Sequence, residues 1–220
     1  DKLKDIHRDY ILAGADVITA NTYASARLSL EHAGVGEHFE ELNEVAVETA
    51  RKALVESDRP QVLIAGSVSH RIPVIEGTSS PDRAQAPDNE TMTKNLTEHA
   101  MFLKNVGCDL ILLEMMYDPT RMEPAFKAAQ KTGLPVWAGF SARRRDDGKV
   151  LSFTPDKEID FKETIQILNK YKVDAAGVMH TPSNLVSDAI AIIRESFKGP
   201  LIAYPDSGYF KMPYWQFDDI

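Results

Sequence analysis

Short runs of almost continuous apolar residues alternate along this chain with longer segments that carry an apolar stripe at helical spacing. The runs occupy residues 15–23, 61–69, 109–116, 135–142, 174–181 and 200–208. Continuous apolar runs of this length are typical of parallel strands that are covered on both faces. Over residues 40–57, Leu42, Val45, Ala46 and Thr49 repeat at spacings of three and four and mark one face of a helix. The strict alternation predicts βα units and a parallel sheet.

Polar side chains are concentrated where each predicted strand ends. They are Asn21, Thr22, Tyr23, Ser67, Ser69, Glu114, Ser141, His180, Thr181, Tyr204, Asp206 and Ser207. An open doubly wound sheet and a barrel both fit the alternation, but in a barrel the carboxyl ends of the strands converge on one mouth, where active sites lie. The pattern therefore favours an α/β fold of the TIM (β/α)8 barrel type. The irregular segment over about residues 70–89 is expected to be functional or mobile.

Composition and charge narrow the classes of partner. The 220 residues are 43% hydrophobic and carry a formal net charge of -8, which suits a single globular domain over residues 1–220. The acidic balance disfavours nucleic acid and anionic membranes as partners, and the short basic run 143–145 does not change this. Because no apolar segment approaches the roughly 20 residues that span a bilayer and the sequence opens without a secretion signal, we expect a cytoplasmic protein. Cys108 is the only cysteine, which excludes intrachain disulfides and a metal site built from several thiolates of this sequence.

Two residues at strand ends are candidates for chemistry. Glu114 follows the apolar run at 109–113, and a carboxylate there needs a cationic partner, either the ammonium group of a ligand or an internal Arg or Lys. His180 ends another apolar run, and an imidazole in a barrel mouth either binds zinc, moves a proton or is a hydrogen-bonded wall residue. The residue types alone leave these alternatives open.

Other polar residues at strand ends suggest ligand contacts. Asn21 and Tyr23 add an amide, a hydroxyl and a ring that could orient a polar ligand in an apolar cleft. The segment 204–208 has the composition of a turn, and its position leaves a binding role open for Asp206. The run 65–69 lacks the glycine spacing and lysine of a phosphate-binding loop, and no serine has the G-x-S-x-G context of a hydrolase nucleophile.

Taken in order, these strand ends resemble the homocysteine S-methyltransferase family. The motifs that carry the resemblance are AGADVITANTY, AGSVS, LLE, a strand-end FS, and YPDSG, at matching intervals over essentially the whole sequence. The resemblance implies a (β/α)8 barrel that moves a methyl group from a small-molecule donor to the thiol of homocysteine. It also implies a zinc ion that binds the thiol and favours the thiolate, the form that attacks carbon.

The resemblance assigns roles to individual residues. Glu114 matches the glutamate that receives the amino group of the substrate, and Tyr23 matches a tyrosine close to the metal. Asn21, Ser141 and Asp206 are expected to line the same mouth as substrate-binding residues.

The sequence departs from the family pattern in ways that bear on the metal. The first zinc cysteine of the family ends a G-V-N-C strand, and here residues 177–180 read G-V-M-H, so His180 is the expected zinc ligand. The other two cysteines of the family belong to a GGCCG strand end, so we expect the remaining ligands outside this sequence. The opening strand with its D-G-x-M-G-T motif is also absent. We therefore expect an incomplete barrel without its first and eighth strands, a fragment of a longer polypeptide, whose open edges would make a homodimer unsurprising.

Three functions follow from these observations. The first is a zinc-dependent methyltransferase acting on homocysteine or a related thiol, with a role in methionine biosynthesis. The alternative is a small-molecule-binding barrel that has lost its metal site, since His180 replaces a cysteine. A third is a metal-independent lyase that uses Glu114 and His180 as acid and base. The sequence does not identify the methyl donor.

Overall fold

The structure is a computed structural model that describes residues 2–73, 75, 81–154, 156–206, 208–211 and 214–216. It divides into two compact units, each built from several segments of the chain. The first unit comprises Asp1–Arg71, Pro87–Leu113 and Pro124–Val136, and the second comprises Ile72–Ala86, Glu114–Glu123 and Trp137–Ile220.

The first unit alternates helices and parallel strands. Its elements are α1 (Lys2–Leu12), β1 (Val17–Ala20), α2 (Arg27–His32), α3 (Phe39–Glu56), β2 (Leu63–Val68), α4 (Asn89–Asn105), the start of β3 (Leu110–Met116) and most of α5 (Glu123–Thr132). Strand β1 pairs with β2 in parallel from the pair Val17 and Leu63, and β2 pairs with β3 from the pair Ala65 and Leu110. The apolar stripe predicted over residues 40–57 is the buried face of α3.

The second unit continues the parallel strands and adds two short hairpins. Its elements are the end of β3, most of β4 (Val136–Phe140), β5 (Ala142–Arg144), β6 (Val150–Ser152), α6 (Phe161–Ile165), β7 (Ala175–Pro182), α7 (Val186–Ser196), β8 (Leu201–Asp206), β9 (Tyr209–Lys211) and β10 (Tyr214–Gln216). Strand β7 pairs in parallel with β4 and with β8. Strands β5 with β6 and β9 with β10 form antiparallel pairs that the apolar pattern did not predict.

The predicted α/β class and parallel sheet are confirmed. The described residues contain one six-stranded sheet with the order β1-β2-β3-β4-β7-β8, and each of its strands lies within one of the six apolar runs or extends one residue beyond it. A sequential order without reversal is that of successive barrel strands, whereas doubly wound sheets reverse at a switch point. This order is consistent with part of a TIM barrel. The missing first and eighth strands and the single domain over residues 1–220 stay predictions. Within the described ranges, no helix combines the length and apolar character that crossing a bilayer requires.

A buried polar network stabilises the first unit. The side chain of His99 on α4 is fully buried, and its Nε2 atom lies 3.0 Å from Oδ1 of Asn43 on α3. Asn43 in turn donates from Nδ2 to the carbonyl oxygens of Ser25 and Phe39. Because the amide oxygen only accepts, Nε2 of His99 carries the proton, and Nδ1 has no hydrogen-bond partner among the described residues. Burial lowers the pKa of His99 to about 3.

This burial predicts a loss of stability in mild acid. The unfolded chain takes up a proton on His99 near its ordinary pKa of 6.5, whereas the folded chain does so only near 3. The free energy of unfolding should therefore fall as the pH drops below 6.5, by at most about 1.4 kcal/mol per pH unit from this residue. In urea titrations, His99→Gln should reduce that slope, and His32→Gln on the exposed surface of α2 should leave it unchanged. An unchanged slope in His99→Gln would contradict the assignment.

Gly177 allows β7 and β8 to approach closely. A Cβ atom at this position would overlap the carbonyl oxygen of its partner Ile202 on β8. Any side chain there forces the two backbones apart.

Gly177→Ala should therefore lower the free energy of unfolding by about 3 kcal/mol or more, because backbone rather than a flexible side chain has to move. Ala203→Ser, at an exposed position of β8, is the matched control and should change it by less than about 0.5 kcal/mol. Urea unfolding followed by circular dichroism measures both. Equal, small effects would show that the strands tolerate a side chain at 177.

Candidate active site

Three of the residues singled out in the sequence meet in the second unit. Glu114 on β3, His180 on β7 and Asp206 on β8 lie towards the carboxyl ends of their strands. The Nδ1 atom of His180 is 3.2 Å from Oδ1 of Asp206, and its Nε2 atom is 3.7 Å from Oε1 of Glu114. The Glu114 and Asp206 side chains are only 14% and 15% exposed, whereas that of His180 is 36% exposed. We call these residues the Glu114–His180–Asp206 cluster.

The two carboxylates of the cluster stabilise the protonated form of His180. The hydrogen bond to Asp206, followed by the interaction with the nearby Glu114 carboxylate, raises the pKa of His180 to about 9 despite its partial burial. The imidazole is therefore protonated at neutral pH in the metal-free protein. The cluster thus brings opposite charges together at the carboxyl ends of β3, β7 and β8.

A β-bulge places His180 where it can reach both carboxylates. The ladder between β7 and β8 pairs Met179 with Tyr204 and resumes at Pro182 with Asp206, so that two residues of β7 oppose Pro205 alone. Proline has no amide hydrogen to donate to a ladder, which accounts for the interruption. His180 has a positive φ of 44° at this point. Bulges of this kind redirect side chains and are common beside active sites.

Backbone strain is found on both sides of the cluster. Met115, which follows Glu114, has a φ of 55°, in the left-handed region that also contains His180. Such a conformation costs a non-glycine residue of the order of 1–3 kcal/mol and persists only where surrounding contacts hold it. The contacts around Met115 and His180 therefore hold the backbone in a conformation that these residues would not adopt by themselves.

Ser141 lies beneath the strand ends rather than at an exposed surface. It is fully buried, and its hydroxyl donates to the carbonyl oxygen of Met179 at 2.9 Å. The neighbouring Thr181 hydroxyl donates to the same oxygen at 3.0 Å. In this structure Ser141 therefore anchors the backbone that carries His180.

Asn21 and Tyr23 belong to the first unit. Asn21 is exposed, and Tyr23 is half-buried, with the Arg71 guanidinium 5.9 Å from its ring centroid. Between them, the buried Thr22 hydroxyl donates to the carbonyl oxygen of Ser67 and accepts from its amide, both at 3.0 Å. These two hydrogen bonds of Thr22 fix the backbone between Asn21 and Tyr23. A mouth shared with Glu114 stays a prediction for these two residues.

Arg83 forms ion pairs with two aspartates, Asp118 and Asp156, that the sequence did not predict. Arg83, in the irregular segment after β2, donates from Nη1 to Oδ2 of the buried Asp118 at 2.9 Å. Its Nε and Nη2 atoms donate to the two carboxylate oxygens of Asp156 at 2.5 and 3.0 Å. The part of residues 70–89 that contains Arg83 is thus anchored within the second unit. No spacing along the chain signals this contact, because the three residues come from separate loops.

The chemistry of the donor set fits one ligand of a zinc site. Histidines that bind zinc usually donate their second ring N–H to a carboxylate, and Asp206 is placed to accept it from Nδ1, which leaves Nε2 for the metal once its proton is displaced. Cys108 is buried in the first unit, and burial raises the pKa of its thiol to about 12. Among the residues the structure describes, no three His, Cys, Asp or Glu side chains form a metal-binding group. A complete site therefore needs further ligands.

Comparison with known proteins places this geometry in context. The chain is 26% identical over 220 residues to homocysteine S-methyltransferase 4 of Zea mays, covering 94% of this chain and 63% of that protein. It is 26% identical to selenocysteine methyltransferase of Astragalus bisulcatus, covering 94% and 66%. The chain thus spans less than two thirds of the length of these relatives.

A solved structure shares the fold. The metallated form of the homocysteine methyltransferase MmuM from Escherichia coli superposes with a TM-score of 0.71 at 21% identity, covering 93% of this chain and 72% of that one. The family model described as homocysteine S-methyltransferase matches residues 1–218. The chain therefore belongs to the homocysteine S-methyltransferase family.

Proposed function

We propose that this chain supplies the substrate-binding side of an enzyme that transfers a methyl group to the thiol or selenol of homocysteine or a closely related amino acid. The observation that carries the proposal is the Glu114–His180–Asp206 cluster at the strand ends of a chain from this family. Its relatives include proteins named for homocysteine and for selenocysteine. The partners are accordingly a small-molecule thiol or selenol and a methyl donor.

Glu114 would bind the α-ammonium group of the substrate. Its carboxylate is largely shielded from solvent, and an opposite charge is attracted more strongly there than in bulk water. As a neutral zinc ligand, His180 would not offset the negative charge of Glu114. An amino acid that enters with its ammonium group towards Glu114 therefore gains an ion pair, which also fixes the direction of its thiol.

His180 and Asp206 would help to bind the metal ion. We assign Nε2 of His180 as one zinc ligand, with Asp206 holding the ring orientation through Nδ1. Zinc, when bound, would keep the substrate thiol in its thiolate form. In the proposed transfer the substrate sulfur would form the new S–C bond as the donor–methyl bond breaks, and the electron pair of that bond would leave with the donor.

The remaining sequence candidates have supporting roles in this proposal. Tyr23 and Asn21 would contact the polar groups of bound substrate, and Ser141 would act through the backbone at Met179 that leads to His180. A cytoplasmic location, a homodimer and a role in methionine biosynthesis stay predictions of the sequence.

Glu114→Gln tests the binding role in the protein expressed from the full open reading frame that encodes this chain. Loss of the charge should lower kcat/KM for homocysteine roughly 10- to 100-fold, the equivalent of about 1.5–3 kcal/mol for a hydrogen bond to a charged group. Turnover of 4-mercaptobutanoate, which lacks the amino group, should be unchanged by the substitution. Glu195→Gln, at a surface ion pair with Lys162, is the matched control. Equal losses with both thiols would show that Glu114 does not bind the amine.

His180→Ala tests the metal role in the same full-length protein. Zinc per polypeptide, measured by inductively coupled plasma mass spectrometry after dialysis, should fall well below that of the wild type, together with methyl transfer from a panel of donors. His32→Ala on the exposed surface of α2 should retain both. If the wild type holds no zinc and His180→Ala binds homocysteine equally well by calorimetry, the binding-module alternative replaces the enzyme.

A further inference from the structure

Met179 connects three strand ends of the second unit. Its carbonyl oxygen on β7 accepts the buried Ser141 and Thr181 hydroxyls, and the Thr181 hydroxyl oxygen accepts the amide of Ala142 at 3.1 Å. Its side chain extends in another direction, and the Sδ atom accepts the Met115 amide of β3, with an N to S distance of 3.2 Å. One buried residue is thus bonded to the residue after Glu114 and directly precedes His180.

Gly139 on β4 provides the space for the Met179 side chain. A Cβ atom at position 139 would overlap the terminal methyl group of Met179, and it would lie only 2.8 Å from Sδ and 2.9 Å from Cγ. The contact involves most of the side chain rather than its flexible end alone. Because Met179 is 1% exposed, the side chain has little room to move aside. The Met179 side chain can therefore take this position only because residue 139 has no side chain.

The thioether contact coincides with the strained backbone. Met115 has the left-handed φ of 55°, and it is this residue whose amide points to sulfur. A thioether is a weak but polarizable acceptor whose three rotatable bonds allow it to follow an irregular backbone. Leucine has a similar volume but no acceptor, so it would leave this amide without its sulfur partner.

We propose that Met179 is a positioning residue. Its thioether packs over Gly139 and holds the left-handed backbone at Met115, so that Glu114 faces His180. The expected effect on methyl transfer rests on the proposed function. The expected effect on the backbone at Met115 does not. The contact acts on substrate only through the Glu114 carboxylate. A displacement of the carboxylate by about 1 Å is enough to lower turnover up to 100-fold when the substrate is held by its amine.

Met179→Leu is the first test, in the protein expressed from the full reading frame, with Met122→Leu as a control at a second buried methionine of the same unit. Hydrogen exchange of the Met115 amide should accelerate at least 10-fold in Met179→Leu and remain unchanged in Met122→Leu. For homocysteine, kcat/KM should fall about 10-fold only in Met179→Leu. With 4-mercaptobutanoate, neither variant should differ from the wild type, because that thiol has no amine for Glu114 to hold.

Gly139→Ala provides a reciprocal test that does not depend on sulfur chemistry. In the wild-type background it should reproduce both effects of Met179→Leu, because the methyl group displaces the thioether. In the Met179→Ala background, where the space is vacant, Gly139→Ala should add little to either effect. Additive effects in this double-mutant cycle would overturn the pairing.

The two readouts separate this inference from the proposed function. Unchanged Met115 exchange in Met179→Leu would overturn the inference whatever the activity. Accelerated exchange in a protein whose wild type methylates neither thiol would support the structural inference and contradict the proposed function. Equal activity losses with both thiols would contradict the positioning role, because a general loss of folded structure affects both substrates.

Discussion

Two carboxylates on parallel strands need a cation near them, and in this protein the imidazole at position 180 is that cation. Glu114 and Asp206 are largely shielded from water, so each would be costly if it were left charged and alone. His180 reaches both only because a bulge opposite Pro205 turns it out of the β7 ladder. The local fold of the second unit and the proposed substrate site therefore depend on one set of contacts.

Much of the fold could be predicted from the sequence, because strands buried on both faces leave a simple pattern. The apolar runs located all six strands of the parallel sheet, and the repeat over residues 40–57 located α3. The hairpin of β5 and β6 was missed because it is short and its residues Arg143 and Arg144 are charged. Cross-strand pairing of so few residues depends on neighbouring loops rather than on a repeating pattern.

The candidate site could be predicted less completely. Glu114, His180 and Asp206 stand out because a polar residue interrupts or ends an apolar run, and the structure brings these three together. Ser141 met the same criterion, and its substrate-binding role stays a prediction. Its hydrogen bond to the carbonyl oxygen of Met179 could not be predicted, since position along a strand does not reveal which face a side chain takes at an irregular end. Met179 itself carried no signal, because a methionine in an apolar run is indistinguishable from core. The role proposed for Met179 rests on the space over Gly139 and on the contact with the left-handed backbone at Met115.

The burial of Cys108 has a practical consequence for experiments on thiol chemistry. Its side chain is 4% exposed, and its thiol remains protonated far above neutral pH, so chromogenic disulfide reagents and maleimides should reach it slowly in the folded state. Consumption of a substrate thiol can then be followed colorimetrically with little background from this cysteine. For the same reason, a cysteine engineered at an exposed position of these residues would be a selective attachment point for a fluorophore or spin label without prior removal of the native one.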